Sequence, residues 1–185
     1  MKATPQNLTE HLLSLPHCTR QIKLELAELF QQVNISKGQL LISPVKYHRS
    51  VYFIEQGLFR TYSHQAIPST TLQLHRPGDY LLQEGMYLSR PASHFTEALS
   101  DATIQRIDYP QLERFLNKQP QAVKLLLAIL EKRHLALSEE NAILHLSSAT
   151  DRYQMAIDYL GKDFFNVPKH VLASYLAISL KHLRR

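Results

Sequence analysis

The chain has 185 residues, of which 44% are hydrophobic and 20% charged, with a formal net charge of +5. That length fits one ordinary domain with a smaller one beside it, and the apolar content excludes a disordered chain. The single Cys18 excludes an intramolecular disulfide and a cysteine-built zinc or iron–sulfur site, and no signal-peptide core or run of about 18 uncharged apolar residues occurs, so a cytoplasmic protein without membrane contact is expected.

Residues 6–32 read as two short helices joined near Pro16–Thr19, with Leu8, Leu12 and Leu13 in the first and Ile22, Leu26, Leu29 and Phe30 in the second. From Val33 to about Ile107 the texture changes to short β-branched and aromatic runs, QLLISP, SVYFIEQG, LFRTYSH, TTLQLHRPGD and TIQRID. Strands at this spacing predict an antiparallel barrel or sandwich, and Gly38, Gly57, Gly78 and Gly85 fall where tight turns need positive φ.

After Pro110 the segment YPQLERFLNKQP reads as a helix, and a longer one follows from about Pro120 to Leu146. On it Leu127, Leu130, His134, Leu137, Asn141 and Leu144 recur at alternating spacings of three and four, extended upstream by Val123, which is the spacing of a coiled-coil seam. A second apolar face, Leu125, Leu126 and Ile129, is available for packing within the chain, so the seam predicts a parallel homodimer in which Asn141 fixes register. The alternative is that the stripe only packs on the β domain.

Residues 148–161 read as a helix with Ser/Thr caps, an inner face of Tyr153, Ala156, Ile157 and Leu160, and Gly161 as C-cap. DFFNVPKH supplies a loop or short strand. Asn166 is then the expected cap of a helix with Pro168 in its first turn and Val171, Leu172, Tyr175 and Leu176 buried. Ala177 falls where the chain must turn, Ser179 can cap the next helix, and Leu183 anchors it from below. That is the arithmetic of a helix-turn-helix whose second helix enters the major groove. Residues 147–185 carry six Lys or Arg against three Asp, so the cationic end suits an anionic polymer. The DNA-binding set is Ser179, Leu180, Lys181, His182, Arg184 and Arg185, with Lys169 from the preceding helix; Lys181 and Arg185 suit guanine edges, and Ser179, His182 and Arg184 phosphates. An ordinary helical hairpin with a solvated basic end is the alternative. With Arg185 only two residues past Leu183, the last helix is expected to fray when free and order on DNA.

In order, a helical entry, a glycine-punctuated β region with KG at 37–38, YFIEQG at 52–57 and RPGD at 76–79, a long helix and the ending VPKHVLASYLAISLKHLRR resemble the Crp/Fnr superfamily of bacterial transcription regulators. The resemblance covers nearly all the chain. It implies an α+β fold: an antiparallel β-roll (a double-stranded β-helix, cyclic-nucleotide-binding-like) with flanking helices over residues 1–118, a dimerisation helix over 119–146 and a helix-turn-helix domain over 147–185. It also implies a homodimer on a two-fold related operator, an effector-sensing roll with an unknown small-molecule effector, and RNA polymerase as a further partner. Leu180, Lys181 and Arg185 correspond to residues that read bases in cyclic-AMP-binding relatives.

Where those relatives hold the ribose with Gly-Glu and the cyclic phosphate with Arg-Ser or Arg-Thr, this sequence has Leu82 and Gln83, or Gln83 and Glu84 with a one-residue slip, then Ala92 and Ser93 with Arg90 two residues early. Without the cation, a buried cyclic phosphate is stranded, so cyclic AMP is disfavoured. The effector pocket is assigned to Leu82, Gln83, Glu84, Arg90 and Ser93. The cysteine cluster of oxygen-sensing relatives is absent, and Ala177 stands where many relatives have Gly.

No cofactor and no metal are expected. Neither His75 nor His94 has a histidine two residues away, and His134 and His145 lie about 16 Å apart by helical rise. No G-x-S-x-G or phosphate loop occurs, so an enzyme is not expected. The readings in competition are a DNA-binding regulator, a dimeric small-molecule-binding signalling module with a vestigial DNA-binding domain, and a small barrel enzyme.

Overall fold

The computed structural model describes residues 7–183 apart from residues 48, 66–68 and 84 and the side chain of residue 182. The entry is two short helices, α1 (Leu8–Ser14) and α2 (Arg20–Glu28). Asn7 caps the first by accepting from the Glu10 amide at 2.8 Å, and Thr19 caps the second through the Ile22 amide. The helical reading carried to residue 32 is too long: β1 (Gln31–Ile35) begins at the glutamine pair, whose extended form is imposed by pairing with β8 (Ala102–Asp108) from Gln31↔Arg106 to Ile35↔Ala102.

The strands are completed by β2 (Leu40–Ile42), β3 (Ser50–Gln56), β4 (Phe59–Ser63), β5 (Thr70–His75), β6 (Tyr80–Leu82), β7 (Phe95–Ala98) and β8 (Ala102–Asp108). They form two four-stranded antiparallel sheets, ordered β1-β8-β3-β6 and β2-β7-β4-β5. The continuous apolar run of β3 follows from its position, because both of its faces are covered. Tyr52 and Ile54 point between the sheets with Leu81 and Ile104, whereas Val51 and Phe53 point outward with Tyr80 and Ile107 into a core roofed by α1, α2 and the two following helices. In that outer core the His11 ring packs edge-on to Phe53 and Tyr80, and burial lowers its pKa to about 4, so it is neutral. Gly57 is required twice over: its φ is +94°, and a Cβ there would lie 2.5 Å from the Ala102 Cβ.

Helix α3 (Tyr109–Lys118) leads through a single 3-10 turn, Pro120–Ala122, into the 22-residue α4 (Val123–Leu144). Leu125 and Ile129 of α4 close the outer core, and Ile143 at its far end enters another. There α5 (Ala149–Leu160), capped by Ser148, and α6 (Lys169–Tyr175) bury Ala156, Leu160, Val171, Leu172 and Tyr175 against Leu58, Leu74 and Leu99 of the roll. Between them DFFN lies in a 3-10 helix, Gly161–Asn166, and not in a loop or strand. This places Pro168, not Asn166, at the cap of α6, where its carbonyl accepts from the Val171 and Leu172 amides. Strand β5 is a sheet edge, and α6 covers it: Ser174 Oγ accepts from the Thr71 amide at 2.8 Å.

Candidate functional site

Two regions of the chain have the chemistry of a site, the mouth of the roll and the exposed surface formed by α4 with the C-terminal helices. Inside the roll, where neighbouring inward positions are apolar, Thr61 of β4, His75 of β5 and Thr96 of β7 are buried together. Thr61 Oγ1 lies 2.8 Å from His75 Nε2 and 3.0 Å from Thr96 Oγ1. His75 is held well below the usual imidazole range, first by burial and then by the charge of Arg133 on α4, so it is neutral and its ring nitrogens donate or accept without adding charge. These groups line an inner cavity of about 30 Å³, enough for one or two waters and far short of a nucleotide.

Above it, between α4 and the segment Gly85–Leu88, lies an open groove of about 370 Å³. Gln73, Leu82, Gln83 and Arg133 line both spaces and form the neck between them. Arg133 Nη2 donates to Gln73 Oε1 at 2.6 Å. Of the pocket residues expected from sequence, Leu82 and Gln83 line both spaces. Arg90 and Ser93 are exposed and line neither space; Arg90 meets the lining residues through its backbone, its carbonyl accepting from Gln83 Nε2 and its amide donating to the Gly85 carbonyl. Glu84 lies outside the described residues. The cation at the mouth is instead Arg133, to which the sequence reading assigned no role. The signal that was available is the pair of threonines at inward strand positions, an unexplained polar patch in a β core.

A cleft of about 300 Å³ joins the β5–β6 turn, α4 and Tyr159. Arg76 donates to the Tyr159 carbonyl and its guanidinium sits 5.0 Å from the centre of the Tyr159 ring. Two carboxyls face this cleft, buried Glu140 and half-buried Asp79. Glu140 is raised to about 7, chiefly by burial, and Asp79 is raised by burial in spite of the Arg76 amide at 2.9 Å.

Along α4 the expected seam residues differ in exposure, and Leu130, His134 and Leu137 also line the groove against Gly85–Leu88. Val123, Leu127 and Leu130 are 41%, 58% and 42% exposed, His134 and Asn141 are exposed, and Leu137 and Leu144 are half-buried. Leu125, by contrast, is fully buried.

At the C-terminal end, α6 is followed by a turn at Leu176–Ser179 and by α7 (Leu180–Leu183). Ala177 makes the turn with φ +52°, the left-handed region, and the Ile178 amide returns to the Ala173 carbonyl at 3.0 Å, the closure a glycine would make without strain. Ser179, Lys181 and Lys169 are exposed and Leu180 is half-buried; His182's side chain, Arg184 and Arg185 lie outside the described residues. One cation of this region is committed internally: Arg152 donates to the carbonyls of Leu146 and Leu176 at 2.6 and 2.9 Å, tying α5 to the ends of α4 and α6. Among the described residues no group of three or more His, Cys, Asp or Glu could hold a metal ion, and no helix is long and apolar enough to cross a membrane.

Residues 32–119 match the cyclic nucleotide-binding domain. No curated protein sequence matches the chain. Among solved structures, FixK2 from Bradyrhizobium japonicum is 17% identical with a TM-score of 0.69, over 84% of this chain and 81% of that one. CLP, a c-di-GMP-responsive global regulator from Xanthomonas campestris, is 16% identical with a TM-score of 0.71, over 90% and 89%. A CooA variant from Carboxydothermus hydrogenoformans is 15% identical with a TM-score of 0.63, over 98% and 83%. These likenesses establish a shared fold, and in this chain the segment that matches the cyclic nucleotide-binding domain carries a polar lumen with its cation supplied by α4.

Proposed function

We propose that the protein is a dimeric, DNA-binding transcription regulator of the Crp/Fnr type, with a sensor roll (1–118) that does not take cyclic AMP, a dimerisation helix (119–146) and a DNA-binding unit (147–185). The observation that carries the reading is α4, buried along Leu125 and Ile129 yet apolar and exposed along Val123, Leu127 and Leu130. An exposed apolar stripe at heptad spacing has no use in a monomer, and pairing it with a second copy sets two C-terminal units side by side for two half-sites. The likeness in fold to FixK2, CLP and CooA supports the same reading. Against cyclic AMP stand the small inner cavity and the exposure of Arg90 and Ser93.

DNA contact is assigned to Ser179, Leu180, Lys181, His182, Arg184 and Arg185 on or beside the last helix, with Lys169 at the start of α6 near the phosphates. A salt-dependent gel shift on DNA selected by the wild type tests it. Arg185→Ala should relax preference at one base pair per half-site, a loss of about 1–3 kcal/mol of discrimination, and Arg184→Ala should weaken all sequences alike. A left-handed Ala177 favours a second reading, a signalling module whose DNA-binding unit is vestigial, and unchanged affinity in both variants would select it.

A further inference from the structure

The inner cavity and the outer groove share an unusual charge inventory. Among the described residues lining either space there is no Asp or Glu, and Arg133 is the one Lys or Arg. The remaining polar side chains are the hydrogen-bonders Thr61, Gln73, Gln83, Tyr87 and Thr96, with histidines at the rim and in the lumen. Arg133 is half-buried, and among the described residues its one side-chain hydrogen bond, to Gln73, uses a single donor of its fork.

We propose that the neck between inner cavity and groove binds a small carboxylate, with its two oxygens on the Arg133 fork and its other polar atoms against Gln73, Gln83 and the Thr61–Thr96 hydroxyls. This rests on the reading of the roll as a sensor. A planar guanidinium matches the two oxygens of a carboxylate in parallel, and one cation compensates one negative charge. A phosphate dianion would bring a second charge for which the described lining offers no further Lys or Arg. Size points the same way. The inner cavity takes only a group as small as a carboxylate or a single keto or hydroxyl oxygen, and the body of the ligand extends into the groove between Met86 and Leu130.

The competing anions lie on the other side of Arg133. Asp79 and Glu140 face it across the cleft, but burial drives both toward their neutral forms, and among the described residues no carboxylate closes on Arg133 to ion-pair distance. Because Arg133 stands on α4 one residue from seam position His134, a ligand drawn onto it pulls directly on the helix proposed to pair the protomers.

The test is calorimetry on the full chain with pyruvate, succinate and 2-oxoglutarate, each beside its methyl ester, and with inorganic phosphate and cyclic AMP as further arms. At least one carboxylate should bind once per protomer with a Kd below about 1 mM, its ester should not, and Arg133→Gln should weaken it at least about tenfold, with Arg133→Lys intermediate. Arg90→Gln should leave it within about twofold. Melting curves check that Arg133→Gln folds, and Thr96→Val, on β7 in the lining of the inner cavity, should also weaken binding. Absence of binding by all three carboxylates, or binding that survives Arg133→Gln, overturns the proposal; so does phosphate or cyclic AMP binding that is lost in Arg90→Gln. No DNA enters the measurement, so a failure here leaves the regulator reading standing, and a protein that binds carboxylate but not DNA sinks only that reading.

Discussion

The two faces of α4 are equally apolar in sequence and opposite in fate. Leu125 and Ile129 are sealed under the outer core, while Leu127 and Leu130, two and one positions away, face out. Hydrophobicity alone does not distinguish them; rotation about the helix axis does, at about 100° per residue. The inner face is committed to the fold of one protomer, and the outer face is available to hold two together.

Truncation on each face separates these jobs. Leu125→Ala leaves a cavity in a closed core and should lower unfolding free energy by about 3 kcal/mol in urea titration. Leu127→Ala should leave the protomer's own stability nearly unchanged and instead weaken the dependence of the melting temperature on protein concentration, the mark of a lost contact between copies. Equal effects of the two on the protomer would erase the distinction.

The inner face also carries one buried acid, Glu140, whose pKa is raised from 4.5 to about 7. The folded state therefore binds its proton more tightly than the unfolded chain, and stability declines as pH rises from 4.5 through 7, with the full penalty present above 7. Glu140→Gln should remove that decline and raise stability at pH 8 relative to pH 5 by on the order of 2–3 kcal/mol, read from melts at the two pH values. A variant whose pH profile parallels the wild type would show that this acid is solvated.

Much of this organisation was legible in the sequence. The heptad spacing located the outer face of α4, the Ser148 and Gly161 signals bounded α5, and Ala177 marked the last turn. What escaped was set by partners distant in the chain. Strands β6 and β7 have only three and four residues, too few for alternation to register, and Gln31–Gln32 become strand only because β8 lies alongside. Arg133 escaped for the same reason: nothing local distinguishes it from Lys132, and only the docking of α4 over the roll turns one cation toward Gln73 and His75.

The smallest effect concerns Ala177, outside both faces. Its left-handed backbone costs less for glycine, partly offset by glycine's greater unfolded-state entropy, so Ala177→Gly should stabilise by roughly 0.5–1 kcal/mol. The melting temperature should rise a few degrees with no change in oligomeric state.

Sedimentation equilibrium of the full chain at micromolar concentration addresses the outer face most directly. The wild type should sediment at twice 21.4 kDa, and Leu130→Asp, which places a charge on the exposed stripe, should return it to a folded species of 21.4 kDa. A wild type that sediments as a single 21.4 kDa protomer, or a Leu130→Asp variant that remains a dimer, would contradict the assignment of this face to a second copy of the chain.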